Sequence, residues 1–432
     1  MKQRQRGAWT WALGGLLGLF AVASLAVYGL NHLDEGSTPS DEPQASASLI
    51  ERGAYLARAG NCQGCHTQRG GAPYAGGRAI PTPFGSVFTP NLTPDDKTGL
   101  GQWRADDFWR ALHHGRGKDG RLLTPAFPYT NYSLVTRADA DALYFYLRSL
   151  PAVAQPNLDH ELRFPYNTQA ALAVWRALYF RPAVFTADPS RSASWNRGAY
   201  LSQGLGHCNA CHASRNSLGA TVGLNDFSGN MLEGLGWYAP SLHSAAQAGV
   251  ANWDRQALSS WLKTGRNSRA SAQGPMAEVI QGSTQYLSPD DLNAMAEYLQ
   301  GLPQHPEAAG VRQRPELKLR EMGQALYGEH CASCHGEQGA GVAGAYPALA
   351  GNRAVLMAHP ANLLRIIQRG GFAPATTDNP RPFGMPPFAG VLDDTQQAAV
   401  ASFVRNAWGN QPAGAADVRP VDVLRLKARR VD

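Results

Sequence analysis

The chain holds six cysteines, and all six fall into pairs of one spacing, each followed at once by a histidine: Cys62-Gln63-Gly64-Cys65-His66, Cys208-Asn209-Ala210-Cys211-His212 and Cys331-Ala332-Ser333-Cys334-His335. Two thiols at this spacing reach the edge of one porphyrin from a single helical turn. The adjacent imidazole then lies under the iron, so the pattern predicts haem c attached through two thioethers. Covalent attachment keeps the group in place even in a small unit with a modest core. Other uses of Cys-x-x-Cys fit less well. A thioredoxin-type pair belongs in a βαβ context and has no use for the histidine. A structural zinc site joins two such motifs to reach four ligands, whereas these are three in number and lie more than 100 residues apart. A disulfide does not explain a histidine at the next position three times. The expected cofactors are three covalently bound haem c groups.

A low-spin electron-transfer haem needs a second axial ligand, and methionine is the usual choice in small cytochromes, raising the potential. The third copy offers Met385 in Phe383-Gly384-Met385-Pro386-Pro387-Phe388, 50 residues after His335, with Met357 as competitor. The second copy offers Met276 in Gly274-Pro275-Met276-Ala277, 64 residues after His212; Met231 competes, and Met295 reads as a helix-core residue. The first copy has no methionine, and Phe127 stands in the aligned loop Pro125-Ala126-Phe127-Pro128-Tyr129. Its haem is therefore five-coordinate or ligated by His113 or His114. The opposing reading leaves both histidines facing solvent at a helix end, where cations are favoured. The expected iron ligands are His66, His212, Met276, His335 and Met385, with the sixth position of the first haem open. No catalytic residue is expected.

The elements that position these residues form a threefold internal repeat. Arg52-Gly53-Ala54-Tyr55-Leu56 and Arg197-Gly198-Ala199-Tyr200-Leu201 precede the first two motifs, and Gly323-Gln324-Ala325-Leu326-Tyr327 precedes the third. Downstream, Thr89-Pro90-Asn91-Leu92 matches Ala239-Pro240-Ser241-Leu242, and Trp103 matches Trp253. Phe108 to Gly115, Leu258 to Gly265 and Leu363 to Gly370 each read as a helix stopped by glycine. Each copy closes with an amphipathic run, Ala138 to Leu150, Pro289 to Leu302 and Thr395 to Trp408, with apolar residues three and four apart. A further helix over Asn167 to Phe180, capped by Asn167 and stopped by Pro182, presents Leu172, Trp175, Leu178 and Tyr179. Such a stripe reads first as packing between units and second as a partner-docking face.

Ahead of the repeats, Ala8 to Leu30 carries no charge over 23 residues, behind Lys2, Arg4 and Arg6. About 20 apolar residues span a bilayer, and the run exceeds the apolar region of a signal peptide, so an uncleaved anchor is expected, with a cleaved signal peptide as the alternative. Asn31 to Ser48 reads as a polar spacer and Pro303 to Pro315 as a second linker. The tail after Gln411, with Arg419, Arg425, Lys427, Arg429 and Arg430, reads as lying on a partner or lipid surface, or as solvated. The chain of 432 residues has 44% hydrophobic and 17% charged residues and a formal charge of +6. It can bury real cores, and without a Lys/Arg stripe interleaved with aromatics a nucleic-acid partner is not expected. The fold class that follows is all-α: three tandem class I cytochrome c-like domains after an N-terminal transmembrane helix. The divisions are 1–30 membrane anchor or signal, 31–48 linker, 49–187 first domain with the connecting helix, 188–303 second, 304–410 third, and 411–432 basic tail.

With these residues in place, the chain resembles the triheme cytochrome c subunits of membrane-bound bacterial dehydrogenases acting on alcohol, gluconate, sorbitol, fructose or aldehyde. The resemblance covers Ser48 to about Gln411 and rests on the Arg197 to Leu201 segment leading to His212, on Gly236-Trp237-Tyr238-Ala239-Pro240, on Gly274-Pro275-Met276 and on Met385-Pro386. It implies Met276 and Met385 as axial ligands. The family's first unit often has methionine in the Pro-Ala-x-Pro-Tyr loop, and Phe127 breaks that correspondence. It implies an electron-transfer subunit on the periplasmic side of the inner membrane. A catalytic subunit with a flavin, pyrroloquinoline quinone or molybdopterin, with or without a small subunit, would feed it; ubiquinone or a terminal oxidase or cytochrome would accept. A stand-alone carrier, or a peroxidase or reductase acting at an open first haem, are the alternative readings.

Overall fold

The computed structural model describes residues 2–32, 44–268, 270–305, 316–410 and 417–428, with side chains of the first helix from Gly14. The side chains of Lys2, Arg4 and Arg6, most of the expected spacer at 31–48 and linker at 303–315, and Arg429 and Arg430 lie outside the described residues. The fold is mainly helical, 46% helix. Helix α1 runs Lys2–His32. The first copy contains α2 (Ala47–Ala59), α3 (Ala105–His114) and α4 (Arg137–Arg148), and the connecting helix α5 is Gln169–Tyr179. The second copy contains α6 (Ala193–Tyr200), α7 (Arg255–Thr264), α8 (Gly274–Gly282) and α9 (Pro289–Gln300). The third contains α10 (Leu317–His330), α11 (Ala361–Arg369) and α12 (Asp394–Asn406), followed by α13 (Pro420–Ala428).

In each copy the leading helix crosses the closing helix at a glycine. A Cβ on Gly53 would lie 1.9 Å from the Ala142 carbonyl oxygen, on Gly198 1.9 Å from that of Ala294, and on Gly323 2.0 Å from that of Ala399. These crossings bring α2 onto α4, α6 onto α9 and α10 onto α12. The closing helices start where polar caps satisfy their first amides: Thr136 accepts from Asp139 N, Ser288 accepts from Asp291 N, and Asp393 forms a capping box with Gln396.

The first two copies share one core, in which Leu56, Leu143 and Leu147 pack with Leu201, Leu258 and Leu292. A reciprocal polar exchange locks them. Arg52 pairs with Asp139 of its own copy (Nη2 to Oδ1, 2.5 Å), while Tyr200 of the second copy donates to the same carboxylate at 2.5 Å. Arg197 pairs with Asp291 through two 2.8 Å bonds, and Tyr55 of the first copy donates to Asp291 at 2.6 Å. The third copy has Met322, Ala325 and Gln396 at these three positions and keeps its own core around Leu364, Val400 and Val404. It joins the second copy elsewhere. Buried Arg365 donates to the carbonyls of Gly236 and Leu235, and Asn362 exchanges two 2.8 Å bonds with the backbone of Tyr238. Gly236, at φ 66°, has no room for a Cβ, which would collide with the Arg365 guanidinium.

Several expectations need correction. The fold is not wholly α. Small antiparallel sheets lie in the loops after the cysteine motifs: β1 (Ala79–Thr82), β2 (Gly85–Phe88) and β3 (Glu161–Leu162), then β4 (Asn230–Leu232) with β5 (Trp237–Ala239), then β6 (Gly371–Phe372) with β7 (Gly384–Met385). The pairs are too short for a period-2 pattern to declare them. The connecting helix is capped by Thr168, not Asn167. Its inner side meets the first copy, as expected, through Arg176 against Tyr129 and Phe180, and Trp175 Nε1 reaches Leu218 O of the second at 2.9 Å. Its outer side, however, is exposed, and the end of α1 packs against it elsewhere, at Ala173 and buried Arg176. The tail is neither solvated nor detached over its described part. Val418, Val423 and Leu426 are buried in the third core, and Arg320 pairs with Asp417 at 2.7 Å. Three apolar side chains interspersed among charges outweighed the basic character that suggested a surface tail.

Candidate cofactor sites

Each cysteine motif forms a single helical turn, closed by a backbone bond from the histidine amide to the carbonyl of the first cysteine: His66 to Cys62 at 2.9 Å, His212 to Cys208 at 3.0 Å and His335 to Cys331 at 3.0 Å. The spacing thus places both thiols and the imidazole of each motif on one turn. None of the six thiols is in a disulfide, and among the described residues no cluster of three or more His, Cys, Asp or Glu could hold a metal ion. Burial pushes the first thiol of each pair up, to about 12 for Cys62 and Cys208 and about 11 for Cys331. A thiol–disulfide enzyme needs the opposite shift.

The histidines share one arrangement that spacing did not reveal. His66 Nδ1 lies 2.9 Å from Pro90 O, His212 Nδ1 2.7 Å from Pro240 O, and His335 Nδ1 3.0 Å from Pro347 O. A carbonyl accepts only, so Nδ1 carries the proton and donates. Nε2 is left with its lone pair, the tautomer a metal ligand requires. Burial, against the opposing effect of the carbonyl, lowers the pKa of all three imidazoles and keeps them neutral. The matched segments around Pro90 and Pro240 were visible as a repeat but their purpose was not. Pro347-Ala348-Leu349 is the third member, hidden because its interval from the histidine is 12 residues against 24 and 28.

A continuous cavity of about 970 Å³ runs past the second and third motifs. Cys208, Cys211, His212 and Met276 line one part; Cys331, Cys334, His335, Met357 and Met385 line the other. Met295 is core, as expected, and also reaches the wall. Met231 instead packs against the core of the third copy, from strand β4. A left-handed glycine ends the helix before each ligand loop and lets that loop press in. Gly370, at φ 62°, has Met385 O where its Cβ would be, and Gly265, at φ 73°, meets Pro374 and Ile280. In the first copy Gly115, at φ 56°, meets the Tyr129 ring, two residues beyond Phe127. Gly274 at φ 54° abuts the Trp237 indole, which sets the start of the turn bearing Met276.

This donor set fits a haem carrying carboxylates. The indole N–H groups of Trp253 and Trp261 are buried without a hydrogen-bond partner, and both side chains line the cavity. Buried donors are rarely left so. Arg266 and Arg353 stand on the same wall. Ala59, Gly60 and Asn61 of the first copy also line it, so the first motif abuts the second site. Arg78 ties them further, donating to Gly64 O at 2.6 Å and to Glu278 at 2.8 Å.

His113 and His114 are buried, 8% and 7% exposed, so the reading that leaves them facing solvent is wrong. The His113 ring stacks on Trp109 at 4.4 Å and meets His114 edge-on at 4.7 Å. The helix end that suggested exposure is covered by the loop bearing Tyr129. Phe127 packs against the shared core, its ring 5.2 Å from Tyr132.

Residues 50–151 and 321–408 match the cytochrome c family. The chain is 35% identical over 409 residues to the cytochrome c subunit of the quinone-type alcohol dehydrogenase of Gluconacetobacter polyoxogenes, covering 91% of this chain and 87% of that one. It is 35% identical over 402 residues to the gluconate 2-dehydrogenase cytochrome c subunit of Pantoea cypripedii, covering 89% and 91%. It is 37% identical over 426 residues to a nicotinate dehydrogenase subunit of Pseudomonas putida; that match takes in 95% of this chain but spans only 35% of the relative.

Proposed function

The chain belongs to the cytochrome c subunits of alcohol, gluconate and fructose dehydrogenases, and we propose that it is the electron-transfer subunit of such a complex and holds three haem c groups, one per cysteine motif. The observation that carries this is the repeated histidine geometry: three imidazoles, each anchored through Nδ1 to a proline carbonyl, each directly after a cysteine pair. Haem supplies one-electron iron chemistry when bound. The chain's own residues do the rest. Cys62 and Cys65, Cys208 and Cys211, and Cys331 and Cys334 would attach the groups, and His66, His212 and His335 would ligate their iron. Met276 and Met385, which line the same cavity as His212 and His335, would supply the further iron ligands of the second and third groups. The tandem units are 49–187, 188–303 and 304–410, with the tail helix packed on the third.

A catalytic subunit with a flavin, pyrroloquinoline quinone or molybdopterin is the donor in this reading, and ubiquinone or a terminal oxidase or cytochrome the acceptor. Helix α1 supports a membrane location: Gly14–His32 is long and apolar enough to cross a bilayer, and residues 14–26 are exposed. In this reading it anchors the chain in the inner membrane with the haem units on the periplasmic side. Intact mass of the mature chain tests the cofactor count: three added porphyrins are expected, and two or none refutes it. Detergent extraction from the native membrane tests the role: a large catalytic subunit should stay bound, while isolation of the chain alone favours a stand-alone carrier.

A further inference from the structure

Helix α5 is turned inside out for a helix at a water surface, where charge faces out and apolar residues face in. Its one charged side chain, Arg176, is 4% exposed and its Nε donates to Asn31 Oδ1 at 2.9 Å. Its outward positions Ala170, Val174 and Leu178 lie four apart, with Val174 47% and Leu178 61% exposed, and Tyr179 beside them. No charged residue interrupts this stripe.

The base of α1 lies beside this helix. Asn31 Nδ2 donates to Ala173 O of α5 at 2.9 Å, and Arg116 donates to Asn31 O at 3.2 Å, so the last turn of α1 is clasped between α5 and the end of α3. Leu16, Leu19, Phe20, Val22 and Leu25 then project clear of the fold, each more than 60% exposed. An apolar helix leaving the body thus has, clasping its base, a helix whose own exposed face is apolar. Arg181, just past α5, is exposed at its margin. Apolar face, flanking tyrosine and bordering arginine are the composition of a helix lying in a lipid interface.

We propose that α5 lies in the bilayer interface with Ala170, Val174 and Leu178 against the acyl chains, so that the first copy is seated on the membrane rather than hung from it. This rests on the reading of α1 as a membrane anchor.

The test places a nitroxide on the haem-loaded full chain in nanodiscs of phosphatidylethanolamine and phosphatidylglycerol, through Leu178→Cys, Phe20→Cys or Val222→Cys, and compares collision with oxygen and with a water-soluble nickel chelate. Val222, 88% exposed on the second copy, is the comparison position. The oxygen-to-nickel ratio at position 178 should exceed that at 222 several-fold and approach that at 20. A nickel-accessible position 178 beside an oxygen-favouring position 20 overturns the seating but leaves the anchor. A nickel-accessible position 20 removes the anchor and the seating together. Shielding of position 178 from both reagents means a protein covers α5, and also overturns the proposal.

Discussion

Gly323→Ala and Gly328→Ala make the same chemical change in the same helix, α10, and should act in opposite directions. At Gly323 the added methyl would lie 2.0 Å from Ala399 O, 2.6 Å from Ala399 C and 2.9 Å from Phe403 Cβ, where ordinary contact begins at 3.4 Å. Two of those atoms are backbone of α12, so no rotamer relieves the clash and the helices must part by more than an ångström. Gaps of about 0.5–1 Å already forfeit a quarter to a half of each dispersion contact, and overpacking costs about 1–3 kcal/mol. Alanine's helix preference returns only about 0.5–1 kcal/mol. At Gly328 nothing lies within 4 Å and the residue is exposed, so the preference acts alone and stabilises by about 0.5–1 kcal/mol. Because a chain of several units does not unfold in one step, the assay is hydrogen exchange of α10 and α12 peptides in the full chain. Each 1.4 kcal/mol is roughly tenfold in the opening equilibrium. Gly323→Ala should speed exchange in both helices and Gly328→Ala should slow it. If Gly323→Ala left protection unchanged, or both variants lost it equally, the reasoning from helix crossing would be refuted.

The reciprocal exchange predicts that Tyr55→Phe and Tyr200→Phe each weaken the first two copies by about 1.5–3 kcal/mol, the range for hydrogen bonds to charged groups. Peptides of α4 and α9 should lose protection while those of α12 do not; equal loss in α12 counts against two coupled copies and one separate. The pH dependence follows from Asp291. Burial opposes its ionisation, but bonds from Arg197 and Tyr55 and the charge of Arg197 outweigh this and hold the carboxyl below its usual range. A carboxyl with a depressed folded-state pKa adds stability that is complete above its unfolded pKa and is lost as pH falls through the folded one. Asp291→Asn should therefore be less stable than the natural chain at neutral pH, with the gap closing below about pH 4; a gap that persists in strong acid contradicts the ion pair. Met276→Leu and Met385→Leu should each remove part of the near-infrared methionine–iron band and lower one reduction potential, and Phe127→Met should add to that band. No change for Phe127→Met would mean that this side chain does not stand over the iron of the first site.

The parts of the site that were legible in the sequence are those made by neighbours in the chain. A cysteine pair with its histidine is one helical turn, so spacing alone identifies it. The same holds for the glycine stops at Gly115, Gly265 and Gly370, whose left-handed φ values are a local demand of the helix end. The interval from Gly198 to Cys208 is one residue longer than that from Gly53 to Cys62, and the structure absorbs the extra residue as a π turn at Leu201–Leu205. That insertion was readable, but its form was not. The burial of His113 and His114 and the folding back of the tail were misjudged because charge and position in a helix say nothing about what a distant loop or core covers.

Sequence by itself determined the chemistry: three thiol pairs with three imidazoles, one copy without a methionine, and an apolar run ahead of them. Only the tertiary structure decided how these are held. Tyr55 meets Asp291 across 236 residues, Trp253 and Trp261 come together in the wall of a cavity shared by two motifs, and Asn31 clasps α5 across 142. The physical reason is that a pattern in sequence constrains bonds a few residues long. A proline carbonyl that fixes a tautomer, or a helix that turns its apolar face outward, acquires its meaning from a neighbour that the chain supplies far away.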